Sequence, residues 1–366
     1  MATGIIWNER FMWHSVGHAA GFMPYGGFVE PERHVDGPEA KRRFRNLLEV
    51  TGLAASLVSF NTRVATEDEL LRFHTQEYIE RIKAMSQTVG GDAGELTPVG
   101  VDSYDISRMS VGGVIEAVDA VLDGKVENSF ALVRPPGHHA MPDLGRGFCI
   151  FGNAALAVMH ARQIRNIPRV AIIDWDVHHG NGTQHAFYSD PTVLTISIHQ
   201  DNYYPPKSGE VSANGEKDGE GYNINIPLPA GSGHGAYLAV FEQVVIPALH
   251  AYRPELILVA SGLDANAMDP LGRNMATSET FRIMTRMVKK AASELCNGKV
   301  VLEQEGGYST AYVPFCGLAV VEELSGNKTT AEDPFLEFYS AVAGQELQPN
   351  QKHMIDEAAN LVSRIS

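Results

Sequence analysis

Cysteine is scarce in this 366-residue chain. Its three residues, Cys149, Cys296 and Cys316, are odd in number and far apart. That excludes a disulfide framework and fits reduced thiols in a cytosol-like compartment. Basic residues are in deficit as well: 29 Lys and Arg against 44 Asp and Glu leave a formal net charge of −15. Binding along a phosphate backbone needs clustered Lys and Arg, so no nucleic-acid partner is expected. No run approaches the roughly 18 consecutive apolar residues of a transmembrane helix. The first residues, Met1 to Asn8, carry neither the basic nor the apolar part of a secretory signal. The expectation is a cytoplasmic protein without membrane contact. Repeats, low-complexity tracts and linker-like Pro, Gly or Ser segments are missing too. Length alone suggests two domains, but with no linker a single domain over 1–366 is expected. With 44% hydrophobic and 20% charged residues, and 35 glycines without a period, disordered and collagen-like classes are excluded.

Short runs that are apolar on both faces recur: Phe130–Val133, Val170–Ile173, Val193–Ile196, Leu256–Ala260 and Val300–Leu302. Such runs suit buried strands of a parallel sheet. Helical patterns lie between them over Pro38–Val50, Val111–Leu122, Asn153–Arg165, Ala236–Ala251 and Ser278–Leu295, and Thr66-Glu-Asp-Glu69 is a capping box. The alternation predicts a doubly wound α/β sheet with helices on both faces. In such sheets ligands bind beyond the carboxyl ends of the strands.

Polar clusters follow the apolar runs directly. Arg134-Pro-Pro-Gly-His-His139 follows Val133, and Asp174-Trp-Asp-Val-His-His179 follows Ile173. Ser197 and His199 end a third run, Ser261-Gly-Leu-Asp264 a fourth, and Glu303-Gln-Glu-Gly-Gly-Tyr308 a fifth. Asp176 and His178, two residues apart in extended backbone, point to one side and can reach a single ion, with Asp264 closing the site. Two carboxylates and one imidazole leave an open position, as a catalytic metal site requires. Zinc is the first choice, and iron(II) or cobalt(II) would also be accepted by this donor set. Of the tandem histidines, one ring can be held by Asp174 and the other by Asn181, which would separate their proton affinities. Tyr308 follows two glycines, so its phenol can approach a site and stabilise an oxyanion. Phe148 and Tyr204 can line a narrow apolar slot. Trp13, His14, His18 and Phe22 form either a rim of that pocket or a subunit contact.

At Arg134–Ala140, Gly147–Cys149, Asp174–Gln184, Ser197–His199, Gly262–Asp269 and Gln304–Ser309 the sequence resembles zinc-dependent histone deacetylases. It is most similar to the class II type and to bacterial histone deacetylase-like amidohydrolases. The motifs occur in the family's order. The resemblance implies an arginase/deacetylase-type α/β fold with a central, mainly parallel eight-stranded sheet in three layers. Its zinc ligands fall on Asp176, His178 and Asp264, its general base on His139 beside His138, and its orienting partners on Asp174 and Asn181. Asparagine at 181 favours class II. The carbonyl-polarising tyrosine falls on Tyr308. An acyl-lysine channel would be lined by Gly147, Phe148 and Tyr204, where the family usually has a second phenylalanine in place of Tyr204. Glu95 is the candidate for holding the substrate backbone. Structural potassium would sit at Asp174, Asp176, His178, Ser197 and Ile198, and a second ion at Phe187, Asp190, Val193 and Tyr222.

The activity so implied is hydrolysis of an acetyl or related amide on an acylated lysine peptide or a small acyl-amine. The alternative within the fold is an acetylpolyamine amidohydrolase. A ureohydrolase with two manganese ions would need a further aspartate after Asp176-Val-His178, where His179 and Gly180 stand instead. A silent acyl-binding module would have no use for the retained set of Asp176, His178, Asp264, His139 and Tyr308. The bacterial relatives suggest a homo-oligomer.

Overall fold

A computed structural model describes residues 2–365. Among these, eight strands form the main sheet: β1 (Thr3–Ile6), β2 (Val58–Phe60), β3 (Asn128–Ala131), β4 (Val170–Asp174), β5 (Val193–Gln200), β6 (Asn223–Leu228), β7 (Leu256–Ser261) and β8 (Val300–Gln304). Their order across the sheet is β6-β5-β4-β7-β8-β3-β1-β2, and every pairing is parallel. The apolar runs are buried on both faces, and alternate residues feed two separate cores. Ala171, Ile173, Ile257 and Val259 pack with helices Glu39–Val50, Ser278–Leu295 and Val313–Ser325. Val170, Ile172, Leu256 and Leu258 pack with helices Ser103–Leu122 and Asn153–Gln163. A period of two in a continuous apolar run therefore produces a three-layer structure.

The five apolar runs expected to be strands belong to β3, β4, β5, β7 and β8, which are consecutive in the sheet. Register levels their carboxyl ends: Asp174 is opposite Ser197 on one side and Ala260 on the other, and Ser261 is opposite Gln304. Their polar loops thus leave from one edge of the sheet, side by side.

Some boundaries differ from the sequence pattern. β3 begins at Asn128, whose side-chain oxygen accepts from the Thr3 hydroxyl at 2.8 Å and whose side-chain N–H donates to the Leu324 carbonyl at 3.3 Å. β6 was not visible as an apolar run because Asn223 and Asn225 alternate with Ile224 and Ile226, yet all are buried. The buried amides meet Gln184 Oε1 at 3.0 and 2.8 Å. The helix expected from Val111 starts at Ser103, and its first turns bury Ser103, Ser107 and Ser110 among Tyr104, Ile106 and Met109, which masks the apolar stripe. The segment expected as one helix over Ala236–Ala251 is His234–Val240 and Ile246–Tyr252, joined by a π-helical turn at Phe241–Val245. Pro247 lacks the N–H that would continue the regular ladder, and the widened turn precedes it. The capping box at Thr66 is present, with Thr66 accepting from the Glu69 N–H, but it starts only the short helix Glu67–Leu70. No helix among the described residues is long and apolar enough to cross a membrane.

Candidate metal and proton-transfer site

Past the end of β4 the chain is pinned by its own carboxylates. Asp174 Oδ1 accepts from the Asp176 N–H at 3.1 Å, and Asp176 Oδ1 from the His178 N–H at 2.9 Å. Asp264, after β7, accepts from the Val177 N–H at 2.8 Å, and Asp176 Oδ2 from the Gly306 N–H at 2.8 Å. These bonds hold Asp176, His178 and Asp264 so that one donor atom of each lies within 4.8 Å of the others.

The donor atoms fit a cation. His178 Nε2 lies 3.1 Å from the Leu271 carbonyl, which only accepts, so Nε2 carries the proton. The lone pair of a neutral His178 then rests on Nδ1, which faces Asp176 Oδ1 at 2.9 Å and Asp264 Oδ2 at 3.1 Å. Asp264 Oδ2 is buried and meets no hydrogen-bond donor among the described residues. Left alone, the cluster demands positive charge: burial opposes it, yet the two carboxylates push His178 well above its ordinary proton affinity. Burial and Asp176 in turn push Asp264 up to about 6. Two oxygens and one nitrogen lone pair converging in a buried space could hold a divalent ion and leave a position open. Two glycines leave the room. A Cβ on Gly306 would stand 2.0 Å from Asp264 Oδ2, and one on Gly262 would stand 2.2 Å from Asp176 Oδ2.

The tandem histidines sit beside this cluster, with ring centroids 4.0 Å apart. His138 Nδ1 meets Asp174 Oδ2 at 2.8 Å, and its Nε2 is 3.8 Å from Asp176 Oδ1. Burial would depress its proton affinity, but Asp174, Asp176 and Glu305 override that and raise it to about 10. His139 Nδ1 meets Asn181 Oδ1 at 2.8 Å. The Asn181 amide nitrogen faces the His139 carbonyl and the Met141 sulfur, both acceptors, so its oxygen faces the ring. His139 therefore carries its proton on Nδ1 and leaves Nε2 bare. Burial, followed by His138 and His178, holds it well below the ordinary imidazole range. The assignment left open by the sequence is thus Asp174 to His138 and Asn181 to His139.

Two residues given no role by the sequence reading position this machinery. Glu305 Oε2 accepts from the Gly137 and His138 N–H groups at 2.7 and 3.2 Å, fixing the loop before the pair. Asp269 Oδ2 accepts from the Tyr308 and Ser309 N–H groups at 2.8 and 3.2 Å, fixing the tyrosine loop. Both lie inside the motif stretches, but only tertiary structure shows which backbone amides they meet. Gly307 precedes Tyr308 with φ +126°, a conformation that favours glycine.

A slot leads to the site, lined by Gly147, Phe148, Tyr204 and Tyr308 among others. Tyr203, Leu271, Leu96 and Phe22 also line it, and of these only Phe22 stood out in the sequence, as a rim residue. The Tyr204 ring is edge-on to His139 at 5.0 Å, and its hydroxyl is buried facing the Glu95 carboxylate. Glu95 does not line the slot. Its carboxylate is held by Arg146, at 2.8 Å from Nε and 2.6 Å from Nη2. Ser197 and Ile198 lie on β5 next to Asp174 in register. Phe187, Asp190 and Val193 form the turn leading into β5, where the Thr195 N–H donates to the Tyr222 carbonyl at 2.9 Å. The Asp190 carboxylate there accepts from Arg162 at 2.6 Å.

A buried O,O,N donor set at the carboxyl edge of a parallel sheet, flanked by two differently held histidines, is an arrangement suited to metal-assisted hydrolysis. The histone deacetylase domain model matches residues 34–324, and the chain belongs to that family, which is one of hydrolases. It is 48% identical to the histone deacetylase-like amidohydrolase of Pseudomonas aeruginosa, over 92% of this chain and 89% of that one. It is 35% identical to a probable deacetylase of Archaeoglobus fulgidus, over 89% of this chain and 87% of that one. Among solved structures, the HD domain of HDA15 superposes with a TM-score of 0.81 at 31% identity, covering 100% of this chain and 99% of that one.

Proposed function

We propose that the protein removes acetyl or related acyl groups from the side-chain amine of acyl-lysine, or a similar amine, by hydrolysis. The observation that carries this reading is the pair of adjacent histidines, one held by Asp174 and the other by Asn181, beside a convergent O,O,N donor set at the end of an aromatic slot. A zinc ion held by Asp176, His178 and Asp264 would supply Lewis acidity, polarising the acyl carbonyl and making water a stronger acid.

The chain's own groups do the rest. Phe148 and Tyr204 flank an extended methylene linker and exclude water around it. The bare Nε2 of His139 takes a proton from the attacking water. The Tyr308 hydroxyl donates to the acyl oxygen as negative charge develops there. A protonated histidine of the pair delivers a proton to the departing nitrogen, so water and amide become carboxylic acid and amine. Asp174 keeps His138 cationic beside the developing charge. Structural potassium at the Asp174, Asp176, His178, Ser197, Ile198 set and at the Phe187, Asp190, Val193, Tyr222 set is part of this reading.

The test is a screen of zinc-loaded protein with acetyl-lysine peptides, longer acyl-lysines and acetylspermidine, followed by amine release. Acetyl-lysine peptides are expected to turn over. Turnover of acetylspermidine alone would shift the assignment to polyamines, and inertness toward all would support a binding module.

A further inference from the structure

The N-terminal segment carries a concentration of exposed apolar side chains: Trp13, Phe22, Met23, Tyr25, Phe28 and Val29. Its backbone is nonetheless tied down. His18–Ala19 pairs antiparallel with Glu32–Arg33. Ala20 and Met23 exchange two backbone hydrogen bonds of 2.8 and 3.0 Å. The Gly21 N–H donates to Glu32 Oε1 at 2.8 Å. Phe22 therefore projects from a fixed turn.

Beside that turn lies a second cavity, half-open to solvent, that adjoins the slot. Phe22 and Leu96 are in the walls of both, so together they form the partition between cavity and slot. The partition is braced from the other side. Leu96 and Phe148 have φ of +51° and +69°, and the Phe148 N–H donates to the Leu96 carbonyl at 3.1 Å. Residues with a Cβ hold such a backbone only where surrounding contacts enforce it. The other walls are mostly apolar: Val16, Pro24, Tyr25 and Pro98. The polar residues of the wall are His18, His34 and Asp92, and the Asp92 carboxylate is occupied by the Gly94 and Thr97 N–H groups. His34 Nδ1 accepts from the Asp36 N–H, and its ring stands edge-on to Phe148. No Lys or Arg is among the residues lining the cavity.

A substrate whose acylated side chain fills the slot must lay its main chain across the mouth. Successive Cα atoms are about 3.8 Å apart, so neighbouring side chains fall within reach of a cavity separated from the slot by one side-chain layer. We propose that this cavity is a subsite for an aromatic or long aliphatic side chain within two residues of the acylated lysine. The subsite makes the protein selective for peptides with apolar flanks over glycine or acidic ones. The inference rests on the acyl-lysine reading above and adds the class of peptide.

The experiment compares, for the zinc-loaded full chain, blocked acetyl-lysine without neighbours, a glycine-flanked peptide, and the same peptide with Trp, Leu or Glu at each position from two before to two after the lysine. At the best position Trp or Leu is expected to raise kcat/KM about tenfold over Gly, through KM, as burial of a large apolar side chain predicts. Val16→Trp, which fills the cavity, and Tyr25→Ala, which opens its wall, are expected to bring that ratio toward one. Neither residue lines the slot, so kcat/KM on blocked acetyl-lysine should stay within about twofold. A flat flank profile in the unaltered protein would overturn the subsite, as would a ratio unchanged in both folded variants. If neither blocked acetyl-lysine nor any peptide turns over, the acyl-lysine reading fails. Calorimetric binding of the deacetylated Trp and Gly peptides then decides the subsite separately. Tighter binding of the Trp peptide, lost in both variants, supports it, and equal binding overturns it.

Discussion

His138 and His139 are neighbours in sequence with rings 4.0 Å apart, yet one is held by the Asp174 carboxylate and the other by the Asn181 amide oxygen, each at 2.8 Å. The charge on the partner separates them. A carboxylate stabilises an imidazolium, whereas an amide oxygen orients the ring without adding a full charge. Two like groups thereby serve opposite roles, one holding a proton and one free to accept it.

Asn181→Asp tests that division. A carboxylate on Nδ1 should raise the proton affinity of His139, so the acidic limb of kcat/KM moves up by roughly one pH unit. The expected result is retained activity at neutral and alkaline pH and a loss that begins at higher pH on the acid side than in the unaltered protein, read from a pH–rate profile. An unmoved acidic limb would show that His139 is not the group that must be deprotonated.

Tyr308→Phe removes the hydroxyl and keeps the ring against Phe148, whose centroid is 5.7 Å away. Turnover should fall by roughly 10²-fold or more if the hydroxyl stabilises the oxyanion. KM should change little, because the apolar contacts remain. Near-normal kcat would remove Tyr308 from the mechanism.

Gly306→Ala places a methyl group 2.0 Å from Asp264 Oδ2 on a loop whose N–H also holds Asp176. Metal affinity should drop about 10-fold or more while the fold persists. The measurement is zinc content after dialysis against a weak chelator, with circular dichroism as the fold control. Full zinc occupancy in the variant would contradict the ligand geometry.

His74 provides a pH-dependent stability test away from the site. It is buried among Phe73, Tyr78 and Phe151. Its Nε2 accepts from the Gly152 N–H at 3.0 Å, so the ring is held neutral. Burial pulls its pKa down from 6.5 to about 3. Below pH 6.5 the unfolded chain binds a proton that the folded chain refuses, so stability falls as pH drops from 6.5 toward 3. The loss is on the order of 4 kcal/mol at the acid end. His74→Gln keeps an acceptor for Gly152 and removes the titration. Urea melts at pH 7, 5 and 4 should show the stability advantage of the natural protein over this variant shrinking with acid. Parallel decline of the two would show that His74 is not buried neutral.

Much of this architecture was legible in the chain itself. Apolar runs such as Val170–Ile173 suit buried strands because they are short, β-branched and apolar on both faces, and the polar residues after them fall at the sheet edge where ligands bind in such folds. Asp176 and His178 could be paired from local backbone geometry, since residues two apart in extended chain share a side. Strand existence and local ligand pairs depend on neighbours in sequence, which is why they could be read there. The tertiary structure alone decided the rest: that Asn181 meets His139 and Asp174 meets His138, that Asp269 and Glu305 hold the tyrosine and histidine loops, and that β6 with its buried Asn223 and Asn225 extends the sheet. It also placed Phe22 between slot and cavity, far along the chain from Leu96. These contacts join segments whose proximity is set by strand order and loop packing. Local periodicity carries no information about either, because pairing is chosen by the whole core.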